Sequence, residues 1–459
     1  MKHSPLKVLC RQQGYVQSCN ISTADFKAFS LSSFFIFIKA IMRNRPARTC
    51  FARKWSSMSI LELLGREETW AEYRDYKSAH SHMSNRELEE LDRFIAEKRY
   101  TPVTDCLTQP GHGFSYPLRR VINKSGTRKK RVIYTFPEDE TRVLKLLTWL
   151  LYRYDAKLSD SCFSFRRNVT AKDAVYRILQ LPKLKERYGL KLDIHNYFNS
   201  MPVPVMTEVL SEVIDDDEPL RQLLSDLLSE GKAIVDGELT EEEHGAMAGV
   251  PISAFMANFF LKSLDTEFEQ LGIPYFRYSD DILIFADSEE ERQTCRELVE
   301  KRMAEKGLTL NPDKYALYNP GESWEFLGFA YRGGRIDLSH VTIEKMKAKI
   351  KRKCRAIYRW RVRKDVDFDR AAKACINVFN RKFYDVDEEE DFTWSRWFFP
   401  VLTTDEGLHA LDEYLVSELR YLATGRHYKG NYRITYEHLK ELGFRSLVNE
   451  FYKFKQTES

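Results

Sequence analysis

The chain has 459 residues, with 72 Lys and Arg against 68 Asp and Glu and a formal charge of +4. Hydrophobic residues at 43% and charged residues at 31% exclude a mainly disordered chain and suit about three domains or one multi-lobed one. No apolar run reaches the roughly 18 residues of a membrane span. Eight scattered cysteines without a CxxC pair speak against a zinc module and for reduced thiols in a cytoplasmic protein.

The charge is uneven. Residues 1–57 hold ten Lys/Arg and one acid, Asp25, whereas 58–459 hold 62 bases and 67 acids, a net of −5. This leader has no Glu, and its apolar patch from Phe34 to Met42 is followed by Arg43, Arg45 and Arg48. It reads as a mis-assigned start or a disordered, dispensable segment, with a targeting or basic arm as the alternative.

Residues 58–98 read as helix with a polar face, acids leading its early turns. Residues 100–137 are broken by Pro and Gly and carry a basic run that leads into the alternating strand RVIYTF. A helix is expected over 139–158, a strand in YGLKLDIHNYF, helix over 205–230 and a loop over 231–249. A buried helix, SAFMANFFLKSLD, precedes a hairpin, YFRYSDDILIFA, and a helix over 288–306. Strands near 308–318 and 325–331 follow, and from 341 the pattern is helical, apart from an acidic linker at 385–391 and turns near 425–434. This order predicts an α+β sheet backed by helices.

Asp280 and Asp281 interrupt a strongly apolar stretch at the expected hairpin tip, where a solvated turn prefers Gly or Asn. Adjacent like charges in apolar surroundings resist ionisation unless a cation compensates. Asp193 ends the apolar strand Leu190–Leu192 in the same way. Carboxylates on neighbouring strand ends can hold two Mg²⁺ ions for phosphoryl transfer. Taken singly, each acid also reads as a plain turn or strand-end residue.

Tyr278-Ser279-Asp280-Asp281 resembles the YxDD box of reverse transcriptases. In the same order along the chain, Lys129-Lys130-Arg131-Val132-Ile133 and Phe163-Ser164-Phe165-Arg166 resemble their fingers elements. Asp193 to Phe198 resembles the first metal box, and Gly249 to Ser253 with Ala257-Asn258 the box that supports template and nucleotide. Leu310 to Lys314 resembles the conserved-lysine box, and Phe326-Leu327-Gly328-Phe329 the primer grip.

The resemblance implies a right-hand polymerase: N-terminal helix and fingers in 58–185, a ferredoxin-like palm in 186–335 with 205–249 inserted toward the fingers, and a helical thumb in 336–384. The acidic linker and a helical C-terminal extension fill 385–459. It implies an Mg²⁺-dependent enzyme with two ions, Mn²⁺ as a substitute, held by Asp193, Asp280 and Asp281 and the carbonyl of Ile194. Lys314 would protonate pyrophosphate, Lys129 and Arg131 would bind the triphosphate with Gly249 beside them, and Phe198 would exclude a ribose 2′-OH. Tyr278, Phe326, Leu327 and Gly328 would touch nucleic acid.

Residues 345–364 hold eleven Lys/Arg and no acid. Met346, Ile350, Cys354 and Ile357 recur at helical spacing, so one face packs and the rest is cationic. Lys347, Lys351, Arg355 and Arg359 are expected to track the duplex phosphates. Phe392, Trp394, Trp397, Phe398 and Phe399 read as packing against the thumb, and the aromatics and bases of 425–455 as RNA contact or plain helical packing.

Met247-Ala248 stand where Pro-Gln is usual in the family, which leaves ordinary templating open. With the long helical tail, this resembles the bacterial defence-associated "unknown group" of reverse transcriptases. The expected partners are an RNA template, non-coding in the defence reading, a DNA primer or product and dNTPs. A protein partner or a homo-oligomer stays open, and no membrane is expected. Rival readings are a template-independent or protein-primed dNTP polymerase, a catalytically silent RNA-binding scaffold, and an RNA-dependent RNA polymerase.

Overall fold

A computed structural model describes residues 7–12, 15–20, 58–80, 83, 85–109, 111–123, 130–384 and 393–458. The chain divides into two units, Met1–Met58 and Ser59–Ser459. In the first, strands β1 (Lys7–Gln12) and β2 (Tyr15–Asn20) form an antiparallel hairpin. The rest of the leader, Lys129, Phe392 and the linker at 385–391 lie outside the described residues.

The second unit opens with α1 (Ile60–Leu64), α2 (Glu67–His80), α3 (Asn85–Ala96) and α4 (Thr101–Leu107), three helices standing where one continuous stretch was expected over 58–98. The first starts where Ser59 caps the Leu61 N–H and where Asp217, buried in a later segment, accepts from the Ile60 N–H at 2.7 Å. Strands β3 (Leu118–Asn123) and β4 (Lys130–Thr135) pair antiparallel. The helix α5 (Glu138–Leu151) and α6 (Ala171–Leu179) follow, the latter opened by a Thr170–Asp173 capping box.

The central sheet begins with β5 (Tyr188–Asp193), followed by the short α7 (Tyr197–Ser200), α8 (Val203–Val213) and α9 (Glu218–Ser229). The segment expected to be a loop over 231–249 instead holds β6 (Lys232–Val235) and β7 (Glu238–Glu241). Asp236 and Gly237 both have positive φ, +51° and +94°, as a two-residue hairpin turn requires. This hairpin extends the outer sheet, in the order β4-β3-β6-β7, through the parallel pair Leu118 and Ile234.

Next come the buried α10 (Ser253–Phe260) and α11 (Lys262–Leu271), then β8 (Tyr275–Tyr278), β9 (Asp281–Ala286) and α12 (Glu289–Glu305). With β10 (Ala316–Tyr318) they complete a four-stranded antiparallel sheet in the order β10-β5-β9-β8. Leu190, Leu192, Ile282 and Ile284 are buried in it. The register pairs Leu192 with Ile282 and Asp193 with Asp281. A one-residue slip would turn these apolar side chains to the wrong face, so burial fixes the register.

A small sheet, β11 (Trp324–Phe326), β12 (Phe329–Arg332) and β13 (Arg335–Leu338), leads into α13 (His340–Lys364) and α14 (Phe368–Phe383). Ser339 caps the start of α13, and Asp365 ends it in a left-handed conformation. The expected apolar stripe is the buried one: Met346, Ile350, Cys354 and Ile357. Helices α15 (Trp394–Phe398), α16 (Glu406–Tyr421), α17 (Tyr436–Glu441) and α18 (Leu447–Glu458) share one core with α13, α14 and the back of the central sheet. Phe398 meets Phe329 and Trp394 meets Phe383 at ring separations of 5.1 and 5.4 Å, so this aromatic cluster is core, as expected.

Candidate active site

Pairing of β5 with β9 sets Asp193 opposite Asp281. Ser279, at φ +60°, turns the chain so that Asp280 stands at the hairpin tip. The tip is tied to β5 by the Ile194 N–H, which donates to the Asp280 carbonyl at 3.2 Å. A third segment closes the group. The Asn311 N–H donates to the Asp193 carbonyl at 2.7 Å, the Asn311 amide donates to Asp193 Oδ2 at 3.2 Å, and the Lys314 ammonium pairs with Asp193 Oδ1.

The electrostatics follow from this crowding. Burial, then the charges of Asp281 and Asp193, push Asp280 up to about 6. Asp281 is also raised, chiefly by burial, with Lys191 opposing. Burial pulls Lys314 down, but its hydrogen bond and attraction to Asp193 prevail and hold it above its ordinary value. Among the described residues no three His, Cys, Asp or Glu side chains are gathered closely enough to hold a metal ion, and Lys314 is the cation that sits on Asp193. The carboxylates of Asp193, Asp280 and Asp281 are hard oxygen donors of the kind that Mg²⁺-type cations take, but in this arrangement they do not form a closed site.

A cleft of about 500 Å³ opens beside these acids, and Arg131, Asp193, Ile194, Phe198, Asp280 and Lys314 all line it. Six of the residues assigned from sequence, drawn from four separate segments, therefore share one cavity. The Arg131 guanidinium lies 6.0 Å from the centroid of the Phe198 ring, within cation–π range. Lys130 also lines the cleft. Gly249 does not; the wall is formed by Ala248. At φ +102°, a Cβ on Gly249 would lie 3.1 Å from the Tyr134 carbonyl oxygen and 3.2 Å from Ile133 Cβ. Its role is close approach of this loop to β4.

Several cleft residues had no assignment from sequence. Asn199 accepts from the Ala248 N–H at 2.8 Å and donates to the Val132 carbonyl at 3.3 Å, tying loop and strand together. Glu242 accepts from Arg119 at 2.9 Å and from the Tyr134 hydroxyl at 2.8 Å. Glu242 and Glu243 face the cleft because the β6–β7 hairpin joins the outer sheet. The Asp236-Gly237 turn was the signal that could have placed them.

A family model described as reverse transcriptase (RNA-dependent DNA polymerase) matches residues 122–331. Residues 122–331 are thus the part of the chain that is similar to reverse transcriptases. The chain is 23% identical over 243 residues to the Retron Ec86 reverse transcriptase of Escherichia coli, covering 52% of this chain and 69% of that one. Similar solved structures include apo telomerase from Candida tropicalis, with TM-score 0.43, 11% identity and coverage of 69% of this chain and 64% of that chain. A form of it truncated of its C-terminal domain gives 0.41 and 11%, covering 50% of this chain and 56% of the other. Telomerase from Candida albicans in complex with a TWJ fragment of telomeric RNA gives 0.40 and 12%, covering 80% and 71%. The matched length is thus under two thirds of the two Candida tropicalis telomerase chains.

Elsewhere in and around the matched segment, the assignment of Phe326 changes. Phe326 is 1% exposed: it fills the core beneath the turn between β11 and β12 and cannot touch a nucleic acid. Leu327 and Gly328 form that turn with φ of +51° and +91°, pinned where the Ser339 N–H donates to the Gly328 carbonyl at 2.9 Å. Tyr278 is half-buried, which raises its hydroxyl pKa.

Lys347 and Arg355 turn onto the helical tail. Lys347 pairs with Glu344 at 3.0 Å and lies 5.8 Å from the Tyr414 ring. Arg355 stacks on Tyr421 at 3.7 Å. Lys351 and Arg359 stay exposed. Two other cations of α13 have different surroundings. Lys345 is near enough to oppose the rise of Asp281, and Lys349 is held below its ordinary pKa by burial and then by Lys382, Arg352 and Lys345. Among the described residues, no helix is long and apolar enough to cross a membrane.

Proposed function

We propose that this chain synthesises DNA on an RNA template by two-metal nucleotidyl transfer. The observation that carries the reading is the convergence of Asp193, Asp280, Lys314, Arg131 and Phe198 on one cleft. On this reading the central sheet is the palm, the outer sheet the fingers and α13–α14 the thumb. Asp193 and Asp280 would hold two Mg²⁺ ions, with Mn²⁺ as a substitute, and Asp281 would assist. Such ions, when bound, activate the attacking hydroxyl and stabilise the leaving oxygen. The protein's own groups do the rest. Arg131 and Lys130 neutralise the triphosphate, Phe198 closes the space a 2′-OH needs, and Lys314 holds a proton for departing pyrophosphate. A primer 3′-hydroxyl attacks the α-phosphate, one P–O bond forms and the bond to pyrophosphate breaks. Replacing Asp280 and Asp281 together with Ala should abolish dNTP incorporation on an RNA template while the circular dichroism spectrum stays unchanged. Retained synthesis would overturn the assignment.

We further propose that the enzyme acts in the bacterial cytoplasm in antiviral defence, copying a non-coding RNA. The departures at Met247-Ala248 and the long helical tail support this reading, which predicts that phage protection is lost with the double Ala variant and that a specific RNA co-purifies. The short Ala248 side chain in the cleft wall favours a second reading, template-independent or protein-primed dNTP polymerisation. Sequencing products made without added template separates the two. The silent-scaffold reading gives no reason for three mutually repelling acids at one strand end.

A further inference from the structure

Phe165 was placed by sequence only within a fingers element, without a role of its own. Its backbone φ is +49°, a conformation that bulky side chains rarely adopt. Among the described residues with positive φ other than glycine, it is the one aromatic, and its side chain is 39% exposed. Burial of an apolar ring therefore does not explain why a strained position keeps a phenylalanine. Strain of this kind persists where neighbours over-determine it.

The neighbours do so on both sides. Ser164 is fully buried; its hydroxyl donates to Asn258 Oδ1 at 2.7 Å and accepts from the Ser279 N–H at 2.9 Å. The Asn258 amide donates back to the Ser164 carbonyl at 2.7 Å. Arg166 donates to the Ser159 and Cys162 carbonyls at 2.7 and 2.9 Å. The ring between these anchors lies 6.4 Å from Phe198 of the cleft wall, edge to face, and 6.3 Å from Tyr278 of the hairpin that carries Asp280. Three segments thus build one aromatic wall next to Asp280, and Phe165 is its exposed member.

The geometry points to Phe165 as a specificity-determining residue that packs on the nucleobase pair formed by the templating base and the incoming nucleotide. This inference rests on the polymerase reading. Every base offers a π-face, so an exposed ring can order the nascent pair whatever its sequence.

The test compares the full-length chain with Phe165→Gly and Phe165→Leu. Steady-state incorporation is measured on an RNA template with a DNA primer. In parallel, 2-aminopurine at the templating position reports stacking in the bound duplex. Phe165→Gly should raise the KM for dNTP about tenfold, the loss of one base–aromatic stack, with kcat within about threefold and an increase in 2-aminopurine fluorescence. Its thermal midpoint should stay level or rise, because glycine relieves the backbone. Phe165→Leu should lie between. An unchanged KM with unchanged fluorescence, or a fallen midpoint with KM intact, overturns the inference. Should the wild type bind duplex yet add no nucleotide, the polymerase reading fails while the fluorescence comparison still decides the contact of Phe165.

Discussion

The Lys314 ammonium rests on the carboxylate of Asp193, the residue that would share a metal ion with Asp280. One cation therefore holds a place that another must contest. Replacing Lys314 with Ala should tighten divalent-metal binding, measured by titration against the apo protein. It should also slow single-turnover incorporation about a hundredfold if the lysine supplies the leaving-group proton. A variant that is slower and binds metal more weakly would make Lys314 a purely structural partner.

Asp280, pushed up to about 6 by burial and its acidic neighbours, binds a proton more readily in the folded state than in the unfolded one. Its ionisation therefore costs stability as pH rises from about 4 through 6. In metal-free buffer at pH 7.5, Asp280→Asn should stabilise the fold by about 3 kcal/mol, and the gain should vanish below pH 4 in thermal melts. Metal must displace the same proton, so apparent Mg²⁺ affinity should fall about tenfold per pH unit below 6.

Phe198 lines the cleft with Arg131 near its ring. Phe198→Ala should raise ribonucleotide incorporation relative to deoxyribonucleotide by about tenfold or more, scored as the ratio of kcat/KM values. An unchanged ratio would remove the gate from Phe198.

The cationic face of α13 can be tested by residue. Lys349→Ala and Arg352→Ala should each weaken template–primer binding and reduce its salt slope by about one. Lys347→Ala and Arg355→Ala, whose side chains lie on the tail, should leave the slope unchanged and lower the thermal midpoint instead.

Beneath the hairpin, Arg277 and Asp265 form an ion pair with both side chains at 0% exposure. The Arg277 Nε–H donates to Asp265 at 2.7 Å, and its guanidinium also reaches the Asn258 carbonyl at 2.9 Å. Arg277→Met leaves Asp265 as an unpaired buried charge and should cost about 3–5 kcal/mol in denaturant unfolding.

Much of this protein is legible from its amino acids. The α+β class, the hairpin that carries Asp280, the strand that ends in Asp193 and the buried stripe of α13 all follow from local periodicity. So do the acids themselves, because charge in an apolar run needs a chemical reason. Periodicity and motif order, however, say nothing about which side of a helix meets a neighbour. Only the tertiary structure turned Lys347 and Arg355 onto the tail, sank Phe326 into the core and used Gly249 to join loop to strand rather than to line the cleft. It also carried the β6–β7 hairpin to the outer sheet and so brought Glu242 and Glu243 to the cleft. Each of these depends on a contact between residues far apart in the chain. Burial, close approach and charge proximity are properties of pairs, and the sequence of one partner does not contain the position of the other.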